Sequence, residues 1–243
     1  MNGRHEVFEQ THGQGHLEVR GGVLESALYL KGAPLIYDAA DCAGSVGRFT
    51  CLLDDARPEF AAAIEAAAAS GFANSTPLRE QIEPLLALMP AGKYALTLDA
   101  MRAPCLSYAF DDYTNGRLGY DPYTDYLGSH YALADVYLGT QPESHLNDAI
   151  VNRYLAAIES GARPALIALG ARDHRARFVL DGHHKLLAYW CCGVTPVVLN
   201  IQVEQTRPIP TTEAARVLAD WKPWRASSYL KCKKRREAIG ETN

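Results

Sequence analysis

Between a short apolar strand (Phe178, Val179, Leu180) and an apolar helix (Leu186 to Cys192) the chain carries Asp181-Gly182-His183-His184-Lys185. This junction constrains the fold more than any other segment. A turn from strand to helix leaves the first helical N–H groups without internal partners and at the positive end of the macrodipole, so an anion such as phosphate is stabilised there. Two imidazoles and an ammonium in the same turn are disfavoured by that dipole, and their presence points to an anionic ligand that neutralises them. The alternative is that Asp181 caps the helix and the histidines face water.

The flanking segments supply context. Val151, Leu155 and Ile158 recur at helical spacing, and Gly161 with Pro164 stops that helix. Ala165 to Leu169 reads as a buried strand, Asp173 to Ala176 as a turn, and Arg177 to Leu180 as a second strand entering the motif. Gly193 ends the motif helix, and after Pro196 the run Val197 to Ile201 reads as a third strand. The order is helix, strand, strand, phosphate-type turn, helix, strand.

The stretches YLAAIESGARPALIAL and RFVLDGHHKLLAYWCCGVTPVVLNI resemble the ParB/sulfiredoxin-like superfamily, over roughly residues 141–205, a little over a quarter of the chain. Within it the DGHH form looks most like the free-serine kinases, whose motif is Asp-Gly-His-His-Arg. ParB proteins usually carry Gly-Glu-Arg-Arg there and sulfiredoxins Gly-Cys-His-Arg. His183 stands where sulfiredoxin has its nucleophilic cysteine, which argues against sulfinic-acid reductase chemistry. Lys185 replaces the usual arginine, keeping the charge and giving up the bidentate fork.

What the resemblance implies is a nucleotide site. Gly182, His183, His184 and Lys185 form the phosphate cradle for ATP or ADP, with Asn152 and Arg153 on the first core helix as secondary contacts or plain surface residues. Phosphoryl transfer also needs a divalent cation and a group that acts on the acceptor hydroxyl. Asp181 is the candidate ligand for Mg2+ and Glu143 the candidate base, with His184 also placed among the catalytic residues. Replacing His184 and Lys185 together by alanine is expected to weaken nucleotide binding and leave folding intact. The expected function is an ATP- or ADP-dependent kinase of a small, serine-like hydroxyl compound. The alternative is a nucleotide-responsive regulatory or DNA/protein-binding module of the ParB-like type, without turnover.

Composition excludes other classes. At 243 residues and 48% hydrophobic content the chain can build one large domain or two small ones, and a formal net charge of −4 argues against a nucleic-acid coat. The apolar stretches are far short of the roughly 18 residues that span a bilayer, and the N-terminus lacks the apolar core of a signal peptide. Six cysteines, at 42, 51, 105, 191, 192 and 232, show no Cys-x-x-Cys spacing. A reduced, cytoplasmic protein is the expectation, with packing as the role of at least one of Cys191 and Cys192.

Ahead of the motif region, His16 to Val19, Val23 to Leu30, Pro34 to Tyr37, Arg48 to Leu53, Tyr94 to Leu98 and Cys105 to Phe110 read as strands. Pro58 to Ala69 and Pro77 to Leu88 read as helices, and Asn115-Gly116 as a hairpin turn. The fold class expected is α+β: residues 1–125 an α+β region of unassigned role, 126–207 the ParB/sulfiredoxin-like core, 208–243 a helical basic tail. The aspartates 111, 112, 121 and 125 could hold a cation or do acid/base work, and turn chemistry explains them better. The tail, with Trp221, Trp224 and the basic run from Lys231 to Arg236, reads as a solvated helix end anchored by its tryptophans.

Overall fold

The computed structural model describes residues 3–22, 25–40, 48–52, 64–65, 67–68, 72, 75–101, 117–118, 135–141, 145–220, 230–231, 233–234 and 238. Among the described residues eleven strands form two sheets. Sheet 1 contains β1 (Arg4–Gln10), β6 (Gly92–Ala100), β11 (Val197–Val203), β9 (Leu166–Ala171), β10 (Ala176–Asp181) and β8 (Val136–Gly139), in that spatial order. Sheet 2 is β2 (Leu17–Gly22), β3 (Glu25–Leu30), β4 (Ala33–Ala40), β5 (Arg48–Leu52) and β7 (Arg117–Leu118), all antiparallel. Short helical turns α1 (Leu78–Gln81) and α2 (Glu83–Leu86) precede β6. The longer helices are α3 (Asp148–Glu159) and α4 (His183–Cys192), and α5 (Thr211–Val217) follows β11.

The sheets pack face to face because each strand at the interface alternates two apolar sides. Leu17, Val19, Leu28, Leu30 and Ile36 of sheet 2 join Leu96, Ile167, Leu169, Phe178, Leu199 and Ile201 of sheet 1 in one buried cluster. The opposite side of sheet 1, through Leu166, Ala168, Val179 and Val198, is covered by Val151 and Ile158 of α3 and Leu186, Ala188 and Tyr189 of α4. The outer side of sheet 2, through Ala27, Tyr29, Tyr37 and Ala39, is covered by Ile209, Ala214, Val217 and Leu218. Four layers result: helices, sheet 1, sheet 2, helix. A strand such as β9 is therefore buried along its whole length, which is why it reads as a continuous apolar run.

The α+β class expected from the sequence is the class observed. The division near residue 125 does not separate two bodies, since β1 and β6 complete the sheet that holds β8 to β11. The helix expected over Pro77 to Leu88 is two turns broken at Ile82 (φ −113, ψ 15), next to Pro84, which has no N–H to donate. Strand β1 is additional to the expected elements. The hairpin around Asn115-Gly116, the strand from Cys105, most of the helix from Pro58 and the aspartates at 111, 112, 121 and 125 lie outside the described residues. In the tail, Lys233 is buried against Glu25 with Leu230 packed nearby, while Trp221 and Trp224 lie outside the described residues.

After β11 the chain crosses to the edge of sheet 2, where Arg207 forks onto Glu18 at 2.6 Å through both Nε and Nη2 and Arg20 Nε adds a third bond at 2.9 Å. Burial alone would push the Glu18 carboxyl up. The two guanidinium groups outweigh it and hold the group below the usual carboxylate range. For the inter-sheet core, Leu169→Ala should cost about 2–5 kcal/mol in urea unfolding, the usual loss for a fully buried leucine. A loss under 1 kcal/mol would contradict the packing described.

Candidate functional site

Parallel pairing of β8 with β10 sets Phe178 beside Leu138 and Val179 beside Gly139, so both strands end at the same margin of sheet 1. Each then leads to a helix, β8 through residues 140–147 into α3 and β10 through Gly182 into α4. Two helix N-termini thus meet beyond the strand ends, and their positive dipole ends add there. Just before the turn, the β9–β10 register shifts between Val179 and Asp181, so Leu180 is an extra residue in β10.

Gly182 makes the turn possible. It is the N-cap of α4 in the left-handed region (φ 104, ψ 24), and a Cβ there would lie 2.9 Å from Leu166 Cδ2. Having no side chain, it cannot cap the helix, and no side chain caps α4. At α3, by contrast, Asn147 Oδ1 accepts from the N–H groups of Ala149 (2.9 Å) and Ile150 (3.3 Å). The first-turn N–H groups of α4 are therefore what this margin offers an anion.

The basic side chains are used differently from expectation. His183 is buried, and its Nε2 accepts the Thr140 N–H at 3.0 Å, while Thr140 Oγ1 donates to Val179 O at 2.7 Å. Burial pushes the imidazole down to about 3, helped by its neighbour His184. His184 Nε2 accepts the Asn147 N–H at 3.0 Å, bridging the starts of α4 and α3. Partial burial holds it below the ordinary histidine value, with Arg153 acting the same way and Asp181 opposing. A ring nitrogen accepts only when unprotonated, so both imidazoles are neutral. Lys185 is buried too. Its Nζ donates to Asp181 Oδ2 at 2.5 Å and to Ala165 O at 3.0 Å, and lies 5.8 Å from the centre of the Tyr154 ring.

These contacts show what two of the expected site residues touch within the fold. His183, expected in the phosphate cradle, ties the end of β8 to the start of α4 through the Thr140 N–H. Lys185, expected beside it, is paired with Asp181. Asp181 itself is partly exposed at the end of β10. Asn152 and Arg153 are exposed on α3, with the Arg153 guanidinium 5.4 Å from the Tyr154 ring centre. Glu143 lies outside the described residues. Among the described residues no group of three or more His, Cys, Asp or Glu could hold a metal ion. Thr140, Asn147 and Tyr154 belong to this margin and were not picked out as site residues. Asn147 carried a readable sign, an N-cap residue ahead of a helical apolar repeat, whereas Thr140 carried none.

Comparison of the chain with protein-family models, with curated proteins and with solved structures gives no match.

Two predictions follow from the turn. Gly182→Ala should lower stability by about 1–3 kcal/mol, since alanine is strained at this φ and its methyl meets Leu166; an unchanged melting temperature would refute the turn geometry. His183 holds its neutral form when folded but takes a proton below about 6.5 when unfolded. Its contribution is full above pH 6.5 and falls, by at most about 1.4 kcal/mol per pH unit, as pH drops towards 3. His183→Gln should flatten that part of the curve. Equal slopes for parent and variant in urea titrations between pH 7.5 and 4.5 would refute it.

Proposed function

We propose that the margin where α3 and α4 begin binds a phosphorylated ligand, a nucleotide such as ATP or ADP, in the manner of the ParB/sulfiredoxin-like superfamily. The observation that carries this reading is the uncapped first turn of α4 at the end of β10, beside the start of a second helix. An anion placed there receives backbone N–H donors that no side chain takes up. Arg153, exposed one and a half turns into α3 and close enough to depress His184, supplies the open positive charge.

The activity proposed is phosphoryl transfer from the nucleotide to a small, serine-like hydroxyl compound. Asp181 brings one hard oxygen donor, which suits Mg2+ shared with phosphate oxygens and water. Magnesium there would offset phosphate charge, and the same carboxylate would keep Lys185 satisfied. Glu143, ahead of α3, is the residue proposed to take the proton of the acceptor hydroxyl. A second reading, a regulatory module that binds nucleotide without turnover, is favoured by one observation: His183, His184 and Lys185 are already committed to contacts within the fold. For the kinase reading the surroundings proposed are a cytoplasmic protein with small-molecule ligands and no nucleic-acid partner; the regulatory reading adds a DNA or protein partner. Among the described residues no helix is long and apolar enough to cross a membrane.

Thermal shift against Mg–ATP and Mg–ADP tests the binding. A nucleotide at 100 times its dissociation constant should stabilise the protein by about 2.7 kcal/mol. Arg153→Ala, on an exposed position, should weaken binding by about 10- to 100-fold, as expected for one charge-assisted contact of about 1.5–3 kcal/mol. No shift with either nucleotide would end the proposal. Turnover separates the two readings: Glu143→Gln should keep binding and lose about 10²–10⁴-fold in transfer rate. Asp181→Asn should lose both transfer and stability, because it strips Lys185 of its buried partner. A parent protein that binds nucleotide and transfers nothing to any hydroxyl acceptor would establish the regulatory reading.

A further inference from the structure

Strand β1 ends sheet 1 among the described residues, and its two sides are used differently. On one side Arg4 donates to the carbonyls of Phe72 (3.1 Å) and Thr76, and Glu6 accepts the N–H groups of Leu78 (2.6 Å) and Arg79 (3.1 Å). Gln10 reaches Leu86 O at 3.0 Å, and Phe8 stacks on Tyr94 with ring centres 5.7 Å apart. On the other side His5, Val7 and Glu9 are exposed. Val7 is 60% exposed, which sets it apart from the apolar residues of the sheet interiors. β1 is seven residues long, without proline or a bulge, and its charged residues on the exposed side, His5 and Glu9, are of opposite kinds that can face each other across a pairing.

We propose that β1 pairs antiparallel with β1 of a second copy of this chain, about a twofold axis at Val7, so that sheet 1 continues through the dimer. The residues on the exposed side select this register. Centred on Val7, the pairing puts valine against valine and His5 opposite Glu9 of the second copy. A two-residue slip sets Val7 opposite His5 or Glu9, and a one-residue slip places each side chain against one from the wrong face.

Strand β6 extends the match. Within one copy His5 lies beside Thr97, its Nδ1 3.2 Å from Thr97 Oγ1, and Glu9 lies beside Lys93. Across the junction the outer row therefore runs Thr97, His5, then Glu9 and Lys93 of the second copy, with the mirrored row beyond. The middle row is Ala95, Val7, then Val7 and Ala95 of the second copy. Donors meet acceptors in the outer rows and apolar groups meet in the centre. The twofold symmetry makes the patch self-complementary.

Sedimentation equilibrium of the full chain over a wide concentration range should show reversible association to twice the 26.6 kDa chain mass. Val7→Lys should reduce the association constant at least tenfold by setting two ammonium groups against each other. His5→Glu places two carboxylates opposite each other and should do the same, and Glu9→Lys, which removes the acceptor opposite His5, should weaken pairing as well. His5→Glu combined with Glu9→Lys restores opposite charges across the axis and should recover association. All three positions of change are exposed, so circular dichroism and melting temperature should be unaltered. A protein that stays monomeric throughout, whose edge is then open to some other chain, overturns the proposal. So does a dimer indifferent to Val7→Lys, or a double variant no better than His5→Glu alone.

Discussion

Sheet 1 is covered on both faces around β9 and β10, and the placement of every polar group in the candidate site depends on that. A strand buried on two sides has room for polar chemistry only where it ends. Because β8 and β10 are parallel, they end together, and the helices that follow must start from one place. The same burial explains why Gly182 sits against Leu166: β9 and the turn are in van der Waals contact, and a larger residue would force them apart. The site is a consequence of layer packing before it is a matter of particular side chains.

Neutral imidazoles at a helix start resolve what first looks like a conflict of charge. Cations in the first turn of a helix oppose its dipole. Here the cost is avoided because both rings serve as acceptors for backbone N–H groups, and the ammonium is cancelled by a carboxylate four residues earlier in the chain. What this margin offers an anion is therefore the main chain of α4 rather than these side chains. The acceptor role also explains the choice of histidine, a residue that accepts a hydrogen bond at the length needed to reach Thr140 and Asn147 and that carries no charge into a buried position.

Where the chain alternates or repeats cleanly, the sequence was a good guide. The α3 stripe of Val151, Leu155 and Ile158, the strands β9, β10 and β11 and the turn at Gly182 are close to the expected positions. The motif helix begins earlier than its apolar run suggests, at His183, because buried polar residues occupy its first turn. Strand β1 was missed for the opposite reason: its alternation sets charged residues on one side that hydrogen-bond to distant backbone, so apolar period two is weak in RHEVFEQ. For the basic residues of the motif, a lone sequence shows charge and spacing and cannot show that Ala165 O or Thr140 N lies within reach.

The order of sheet 1 also bears on synthesis. Arg4 meets Leu98 and Ala100 meets Val197, so the first strand made must wait for the sixth, and the sixth for the last. Sheet 2 has the reverse character, with β2, β3 and β4 joined by near neighbours in sequence. On the ribosome its hairpins can close long before the partner sheet exists, leaving Leu17, Val19, Leu28 and Leu30 uncovered. Until β9 to β11 are made, the nascent protein has only α1, α2, β1 and β6 to lay on that surface, the situation in which a chain gains from chaperones.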